Sequence, residues 1–235
     1  MKQTLLLSLM ILTACSTRMK TGEQSFTLKS YNLSANVEYI SDKKIPSFLT
    51  EEWSTVPDTS RAASIHNKYF DEEGFLTESK YFDKDSLLLL RSEIIKSKTG
   101  KYQGSKDFDK NGNLTKQTKI ISSTKDNLQT ETYDYKTGDL LSRSKTVYDN
   151  HLVKKQYSET VSQGHKSEYI YKRDDEGNEI EISMIIEFGD QKMERKSFVK
   201  YLDFDEYGNW TKRIDYNREN GNECLLTIRR IKYYE

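Results

Sequence analysis

The chain has 235 residues, with 37 basic and 37 acidic side chains and a formal net charge of zero. This balance lacks the basic face that nucleic acids require, so no nucleic-acid partner is expected. Hydrophobic residues are only 34% of the chain, but sixteen tyrosines and nine phenylalanines can supply buried apolar area. Because the only two prolines lie before residue 60, the composition favours β-structure over disorder.

The first fourteen residues have the order of a secretory signal. A positive charge at Lys2 is followed by an apolar run over residues 4–12 and by Thr13 and Ala14, two small residues before Cys15. The run is too short to span a bilayer as a permanent helix. The segment Leu12-Thr13-Ala14-Cys15 resembles the lipobox of bacterial lipoproteins. The resemblance implies cleavage between Ala14 and Cys15 and lipidation of the Cys15 thiol.

Lipidation at Cys15 would make the membrane a partner of this protein. A single fourteen-carbon chain binds membranes only marginally, but bacterial lipoproteins carry a diacylglycerol and an added acyl chain such as palmitate. Ser16 stands where an aspartate commonly retains lipoproteins at the inner membrane, which favours the outer membrane of the cell envelope. Cys224 is then left without a partner, so we expect no disulfide and a small side chain within a strand.

The segment before the repeats is less regular. Residues 15–25 are predicted to be a polar, lipidated tether. Within an N-terminal region spanning residues 26–66, residues 26–40 predict one or two strands. Residues 41–65 contain both prolines and predict an irregular crossover with one short helix.

Residues 67–235 contain a repeated turn pattern. Segments 71–74, 109–112, 174–177 and 205–208 each begin with aspartate and end with glycine, and segments 135–138 and 218–221 are looser copies. These residues suit a type I turn, in which aspartate accepts backbone amides and glycine takes a positive φ. With weaker signals between them, breaks fall near 74, 85, 100, 112, 126, 138, 150, 164, 177, 189, 208 and 221. The even spacing predicts an all-β fold with little helix: a long, twisted antiparallel meander of hairpins, about a dozen strands.

Two of these segments resemble the YD repeat of RHS proteins, residues 204–213 and residues 108–115. The ending, residues 227–234, resembles that of small lipoproteins that carry such repeats and have no assigned activity. In large RHS proteins the repeats wind into a β-shell around a toxin, and this chain is too short for such a shell. The resemblance therefore implies a strand-turn-strand unit without catalytic residues, and it leaves open whether the sheet is open or closed.

The sequence contains only incomplete motifs for metal binding or catalysis. Asp107, Asp109, Asn111 and Gly112 match the first half of a calcium loop, but Thr118 stands where the bidentate glutamate belongs. The histidines at 66, 151 and 165 form no metal-binding pair and are expected at the surface. The carboxylate-rich positions 72–73, 174–175, 179 and 181 are expected beside turns in water. No catalytic residue, metal or cofactor is therefore predicted, and we expect no enzyme activity.

The aromatic side chains offer a sharper hypothesis. Aromatic residues on one sheet face can stack on sugars or hold a peptide, and the candidates are Tyr169, Tyr171, Tyr201, Trp210 and Tyr216. The alternative is that they fill a core that is poor in aliphatic residues. The alternation of residues 210–216 places Trp210, Ile214 and Tyr216 on one face.

Three functions remain open from sequence. The leading one is a non-catalytic, membrane-anchored envelope lipoprotein that binds or scaffolds an envelope protein or glycan through its repeat sheet face. The second is a lipid or lipoprotein carrier, which needs a continuous apolar concave face. The third, less favoured, is a hydrolase that uses carboxylates beside the turns.

Overall fold

The computed structural model describes residues 27–217 and 222–235. The signal peptide, Ala14, Cys15 and the tether lie outside the described residues. A 3₁₀ turn, Leu28–Tyr31, precedes the strands. The strands are β1 Val37–Leu49, β2 Thr55–Pro57, β3 Ser64–Phe70, β4 Leu76–Phe82, β5 Leu88–Lys96, β6 Tyr102–Asp109, β7 Leu114–Ser123, β8 Asn127–Asp134, β9 Leu140–Asp149, β10 Leu152–Thr160, β11 His165–Arg173, β12 Glu179–Phe188, β13 Gln191–Phe204, β14 Trp210–Tyr216 and β15 Glu223–Tyr233.

The strands form one antiparallel meander that closes on itself. From β3 to β15 each strand pairs with the next along the chain, and β1 pairs with both β3 and β15. Fourteen strands of the described chain therefore close a barrel, while β2 pairs only with the end of β1. The predicted all-β meander is confirmed, and its open edges are removed by the pairing of β1 with β15. Across the described residues, no helix is long and apolar enough to cross a bilayer.

The hairpin turns lie where the aspartate–glycine pattern predicts them. In the turn after β3, the Gly74 amide donates to the Asp71 carbonyl (2.8 Å), and the Phe75 amide donates to Asp71 Oδ1 (2.8 Å). Gly74 has φ +80°, a backbone conformation that would be strained in a residue with a side chain. The same amide contacts recur at Asp109, Asp174 and Asp205. The predicted break near 221 falls among residues 218–221, which lie outside the described part of the chain.

The predicted crossover over residues 41–65 is wrong. Strand β1 runs through this segment as far as Leu49, β2 follows, and β3 begins at Ser64. Neither proline interrupts the ladder, because Pro46 still offers its carbonyl, which accepts the Asp58 amide (2.8 Å). The polar run at residues 41–44 suggested a loop, but its alternate residues Asp42 and Lys44 point into a polar interior.

Residues 27–36 close one end of the barrel, which we call the tether end. The Leu28 amide donates to the Gly74 carbonyl (3.0 Å), and Asn32 Nδ2 donates to Asn178 Oδ1 (3.1 Å). The Ser34 amide donates to Asn209 Oδ1 (2.7 Å). These contacts reach the turns after β3, β11 and β13. Below them lies an apolar cluster of Val37, Ile40, Phe70 and Leu76, with Tyr31 packed against it.

A second cluster surrounds the cysteine. Cys224 packs with Ile214 and Leu226, and its thiol is free and buried. Burial raises the pKa of this thiol, which keeps it protonated and unreactive near neutral pH. The prediction of a small residue within a strand is confirmed.

Candidate functional site

A cavity of about 270 Å³ lies inside the barrel. Its lining comes from β1, β3 and β10–β15, together with residues 30–32 from the tether end. Asp42 on β1 and Gln156 on β10 both border it. Because these strands are far apart around the circumference, the cavity occupies the interior and is no groove on the outer wall.

One wall of the cavity holds a buried ion cluster centred on Asp42. Arg229 donates from Nε and Nη2 to the two Asp42 carboxylate oxygens (2.6 and 3.0 Å), and Lys68 Nζ lies 3.1 Å from Oδ2. Burial alone would raise the pKa of Asp42. The positive charges and hydrogen bonds of Arg229 and Lys68 outweigh burial and hold this pKa well below its usual range. Asp42 is therefore ionised at neutral pH.

A second ion cluster centres on Glu179. Arg173 Nη2 lies 3.2 Å from Oε1 of Glu179, and Arg213 Nη1 lies 3.0 Å from Oε2. Arg213 Nε also lies 3.4 Å from Asp215 Oδ1, but this ion pair makes no hydrogen bond, so both atoms keep unused capacity. Burial raises the pKa of Asp215 and would lower that of Arg213, but Asp215 and Glu179 raise the pKa of Arg213.

Positive charge exceeds negative charge around the cavity. The cationic side chains that line it are Lys44, Lys68, Arg173, Arg213 and Arg229. The carboxylates are Asp42 and Glu179 in the lining and Asp215 beside Arg213. His66 also lines the cavity and stacks on Tyr81 at 3.8 Å between ring centroids. Burial, aided by the charge of Lys68, lowers the pKa of His66 to about 3, so this residue is neutral. Five positive charges thus face three negative ones.

Several buried polar atoms of the cavity lack a hydrogen-bond partner among the described residues. They are His66 Nε2, Arg173 Nε, Arg213 Nε and Thr227 Oγ1. Thr227 is only 1% exposed. Native interiors leave few such groups, because each costs desolvation energy without a compensating bond. Unused donors therefore accompany the surplus positive charge.

The predicted stacking aromatics do not form one surface, and this part of the hypothesis is corrected. Tyr171, Tyr201 and Trp210 line the cavity. Tyr169 lies opposite Gln156 in the β10–β11 ladder but does not border the cavity. Tyr216 belongs to the Cys224 cluster.

Trp210 was predicted on the face of Ile214 and Tyr216, and this is wrong. The β13–β14 ladder shifts register between Tyr201 and Phe204, which breaks the simple alternation that the prediction assumed. Trp210 is 8% exposed, and the Cζ atom of the Arg229 guanidinium lies 3.5 Å from its ring centroid. Its indole therefore packs against a cation in the wall.

The environments of other candidate residues also differ from those predicted. Glu179 follows the turn at residues 174–177, as predicted, but its side chain lies in the barrel interior between two arginines and not in water. His66 is interior, where a surface position was predicted. In the predicted half calcium loop, Asp109 Oδ1 accepts the amides of the turn and Asp107 accepts from Ser92 (2.7 Å). Among the described residues, no group of three or more acidic, histidine or cysteine side chains could hold a metal ion.

A second cleft, of about 370 Å³, follows strands β7–β12. Gln156 on β10 faces the cavity. Side chains alternate along a strand, so Glu159, three residues further on, faces the outer wall. The ladder pairs that include Glu159 form a row whose charge alternates across seven strands: Lys119, Glu131, Arg143, Glu159, Lys166, Glu187 and Lys192. Arg143 Nε lies 3.1 Å from Glu131 Oε1. On this outer face neighbouring charges are opposite in sign, whereas positive charge is in excess around the cavity.

Sequence reasoning missed the main residues of the cavity. No catalytic or ligand-binding motif marks Asp42, Lys44, Arg213, Thr227 and Arg229, and the first and last of them are 187 positions apart. The only available signal was alternation within strands, and this signal was hidden because both faces are polar.

Similarity to known proteins is found among solved structures. No protein-family model and no curated protein matches the chain. Among solved structures, a porin-like protein from Bacteroides uniformis has 11% identity and a TM-score of 0.47, covering 85% of this chain and 99% of that one. A porin-like protein from Bacteroides vulgatus has 11% identity and a TM-score of 0.45 with the same coverage. A LolA superfamily protein from Nitrosomonas europaea has 8% identity and a TM-score of 0.28, covering 92% of this chain and 95% of that one.

Proposed function

We propose that this chain is a non-catalytic envelope lipoprotein that binds a small polar ligand inside its barrel. The observation that carries the proposal is the interior cavity, whose buried charged and hydrogen-bonding groups come from eight strands. A cavity of about 270 Å³ is close in volume to small-molecule sites, and its convergent polar groups can fix the orientation of a ligand. The hairpin units that build the wall are, in this proposal, a closed variant of the YD repeat.

The carrier of acyl chains is the less favoured alternative. That function needs a continuous apolar concave face, and this cavity is bordered by Asp42, Lys68, Arg173, Glu179 and Arg229. Acyl chains would leave these buried charges without solvent, which is energetically costly.

A hydrolase is also less favoured. The two carboxylates in the lining, Asp42 and Glu179, are each paired with cations. The depressed pKa of Asp42 keeps it ionised and unsuited to act as a general acid.

Membrane attachment is assigned to the lipid on Cys15, with the outer membrane favoured. Charged rows on the outer wall would be costly to bury among acyl chains, so an anchor outside the barrel suits this protein. The test is metabolic labelling with palmitate, in which Cys15→Ser should abolish the label and Cys224→Ser should keep it. Labelling that survives Cys15→Ser would contradict the assignment.

The ligand site is tested by filling the cavity. Gln156 lines it and Gln129 borders the outer cleft, so Gln156→Trp and Gln129→Trp are matched changes on opposite faces. The full chain in detergent would be screened by thermal shift against sugars, amino acids and inorganic anions. Gln156→Trp should abolish the shift from any ligand found, and Gln129→Trp should preserve it. The reverse pattern would move the site to the outer cleft, and no shift with any compound would count against the proposal.

A further inference from the structure

We infer that the ligand carries an oxyanion, a phosphate or a carboxylate, that binds to one row of donors inside the barrel. This inference rests on the proposed function and names the chemistry of the same site. The row consists of Lys44, Thr227, Arg213 and Tyr201, which are consecutive partners across β1, β15, β14 and β13. All four residues line the cavity.

The geometry of the row suits an oxyanion. Directly opposed residues on neighbouring strands have Cβ atoms about 4.5–5.5 Å apart, so the three polar groups of Lys44, Thr227 and Arg213 converge on one patch. Thr227 Oγ1 and Arg213 Nε have no hydrogen-bond partner among the described residues, although Arg213 Nε forms a longer ion pair with Asp215. A charged acceptor placed there would accept from both and would receive charge-assisted bonds, which are the stronger kind.

Lys44 supplies a positive charge that makes no ion pair among the described residues, although this charge acts on the pKa of Asp215. Lys68 and Arg229 share Asp42, and Arg173 and Arg213 share Glu179. Lys44 lies within 4 Å of no carboxylate among the described residues, although it borders the cavity. The five cations against three carboxylates leave a surplus, and a bound anion would neutralise it. The neutral form of His66 adds no charge to this balance.

Tyr201 contributes a further donor. Burial raises the pKa of this hydroxyl, so it remains protonated and able to donate at neutral pH. Tyr171 on the adjoining wall behaves alike, because burial raises its pKa to about 12. The site thus presents donors and cations to a ligand.

The volume limits the ligand. The cavity volume of about 270 Å³ lies near the lower end of the range for small-molecule sites, about 300–1,000 Å³. Inorganic phosphate or a short dicarboxylate fits this space.

Calorimetric titration of the full chain in detergent tests the inference, with inorganic phosphate, sulfate and succinate as separate probes. Lys44→Met should weaken binding on the order of tenfold, the loss of about 1.4 kcal/mol. Lys43→Met is the matched control. It removes the same charge from the preceding residue of β1, whose side chain is exposed. It should change affinity less than about twofold. Equal losses in both variants would mean that net charge alone attracts the anion, and would overturn the site.

Thr227→Val provides a second test that does not depend on charge. The two side chains have nearly the same shape, and the lost hydroxyl has no partner in the ligand-free protein. Anion affinity should fall by roughly tenfold, with the melting temperature of the ligand-free protein unchanged or raised. An unchanged affinity would remove Thr227 from the site.

The outcomes separate this inference from the proposed function. If neutral compounds bind and Gln156→Trp blocks them, but none of the three anions binds, the interior site stands and the oxyanion assignment fails. If phosphate and sulfate bind but succinate does not, the ligand is of the tetrahedral class. Anion binding that Gln156→Trp leaves intact would contradict both.

Discussion

Replacement of His66 by phenylalanine should change how stability depends on pH. His66 stacks on Tyr81, a packing that phenylalanine can retain. The charges that face this imidazole are Lys68, Asp42, Lys44 and Arg229. Burial and the nearby lysines hold the pKa of His66 at about 3, below its usual value of 6.5. Between these values the unfolded chain binds a proton that the folded protein does not.

The sign and size of the effect follow from proton linkage. Because the folded pKa is depressed, the histidine favours unfolding as pH falls below 6.5, and the loss is complete near pH 3. Each pH unit in that window costs about 1.4 kcal/mol. The stability of the wild-type protein relative to His66→Phe should therefore fall by about 1.4 kcal/mol between pH 7.5 and 5.5, and by about 2.7 kcal/mol at pH 4.5.

Urea unfolding followed by circular dichroism gives the free energy of unfolding at each pH. The comparison needs wild type, His66→Phe and a control, His165→Phe, which removes a half-buried histidine outside the cavity. An equal change of pH dependence in His165→Phe and His66→Phe would show that the effect does not depend on the cavity. If wild type and His66→Phe lose stability in parallel from pH 7.5 to 4.5, His66 is not held neutral inside the barrel.

Three further predictions concern stability. Asp42→Ala should cost about 3–5 kcal/mol in urea unfolding because two buried cations lose their partner; a cost under 1 kcal/mol would contradict the buried cluster. Asn209→Ala should speed hydrogen exchange in residues 27–36, because Asn209 bonds Ser34 at the tether end. Asn113→Ala, at the equivalent turn position, should leave that exchange unchanged. Gly100→Ala should destabilise more than Gly112→Ala, since only Gly100 has a ring, that of Phe75, within 3 Å of the new methyl group; equal melting temperatures would oppose this.

The hairpins could be predicted from sequence because their turns are local. An aspartate that accepts amides and a glycine with positive φ act within five residues, as at Asp71 and Gly74. Closure of the barrel could not be predicted, since it depends on the pairing of β1 with β15 across the whole chain. Nothing local in β1 signals this partner, and its polar residues suggested a loop.

The candidate site escaped prediction for a related reason. Its charged residues are conspicuous only when strands distant in sequence face one interior. Asp42 and Arg229 are 187 positions apart, and their pairing depends on closure. The aromatic hypothesis located part of the correct region, because Tyr171, Tyr201 and Trp210 do line the cavity. It failed for Tyr216 and for the predicted face of Trp210, where the shift in the β13–β14 ladder breaks the alternation.

Binding of a small anion inside the barrel can be followed by NMR of the arginine side chains. The resonances of the Nε–H groups of Arg213 and Arg173 should shift on titration with inorganic phosphate, because both groups are buried at the cavity and make no hydrogen bond within the described part of the chain. Arg143, on the outer wall with its Nε bonded to Glu131, should not respond. A shift of Arg143 alone, with Arg213 and Arg173 unchanged, would place the anion on the outer wall and not inside the barrel.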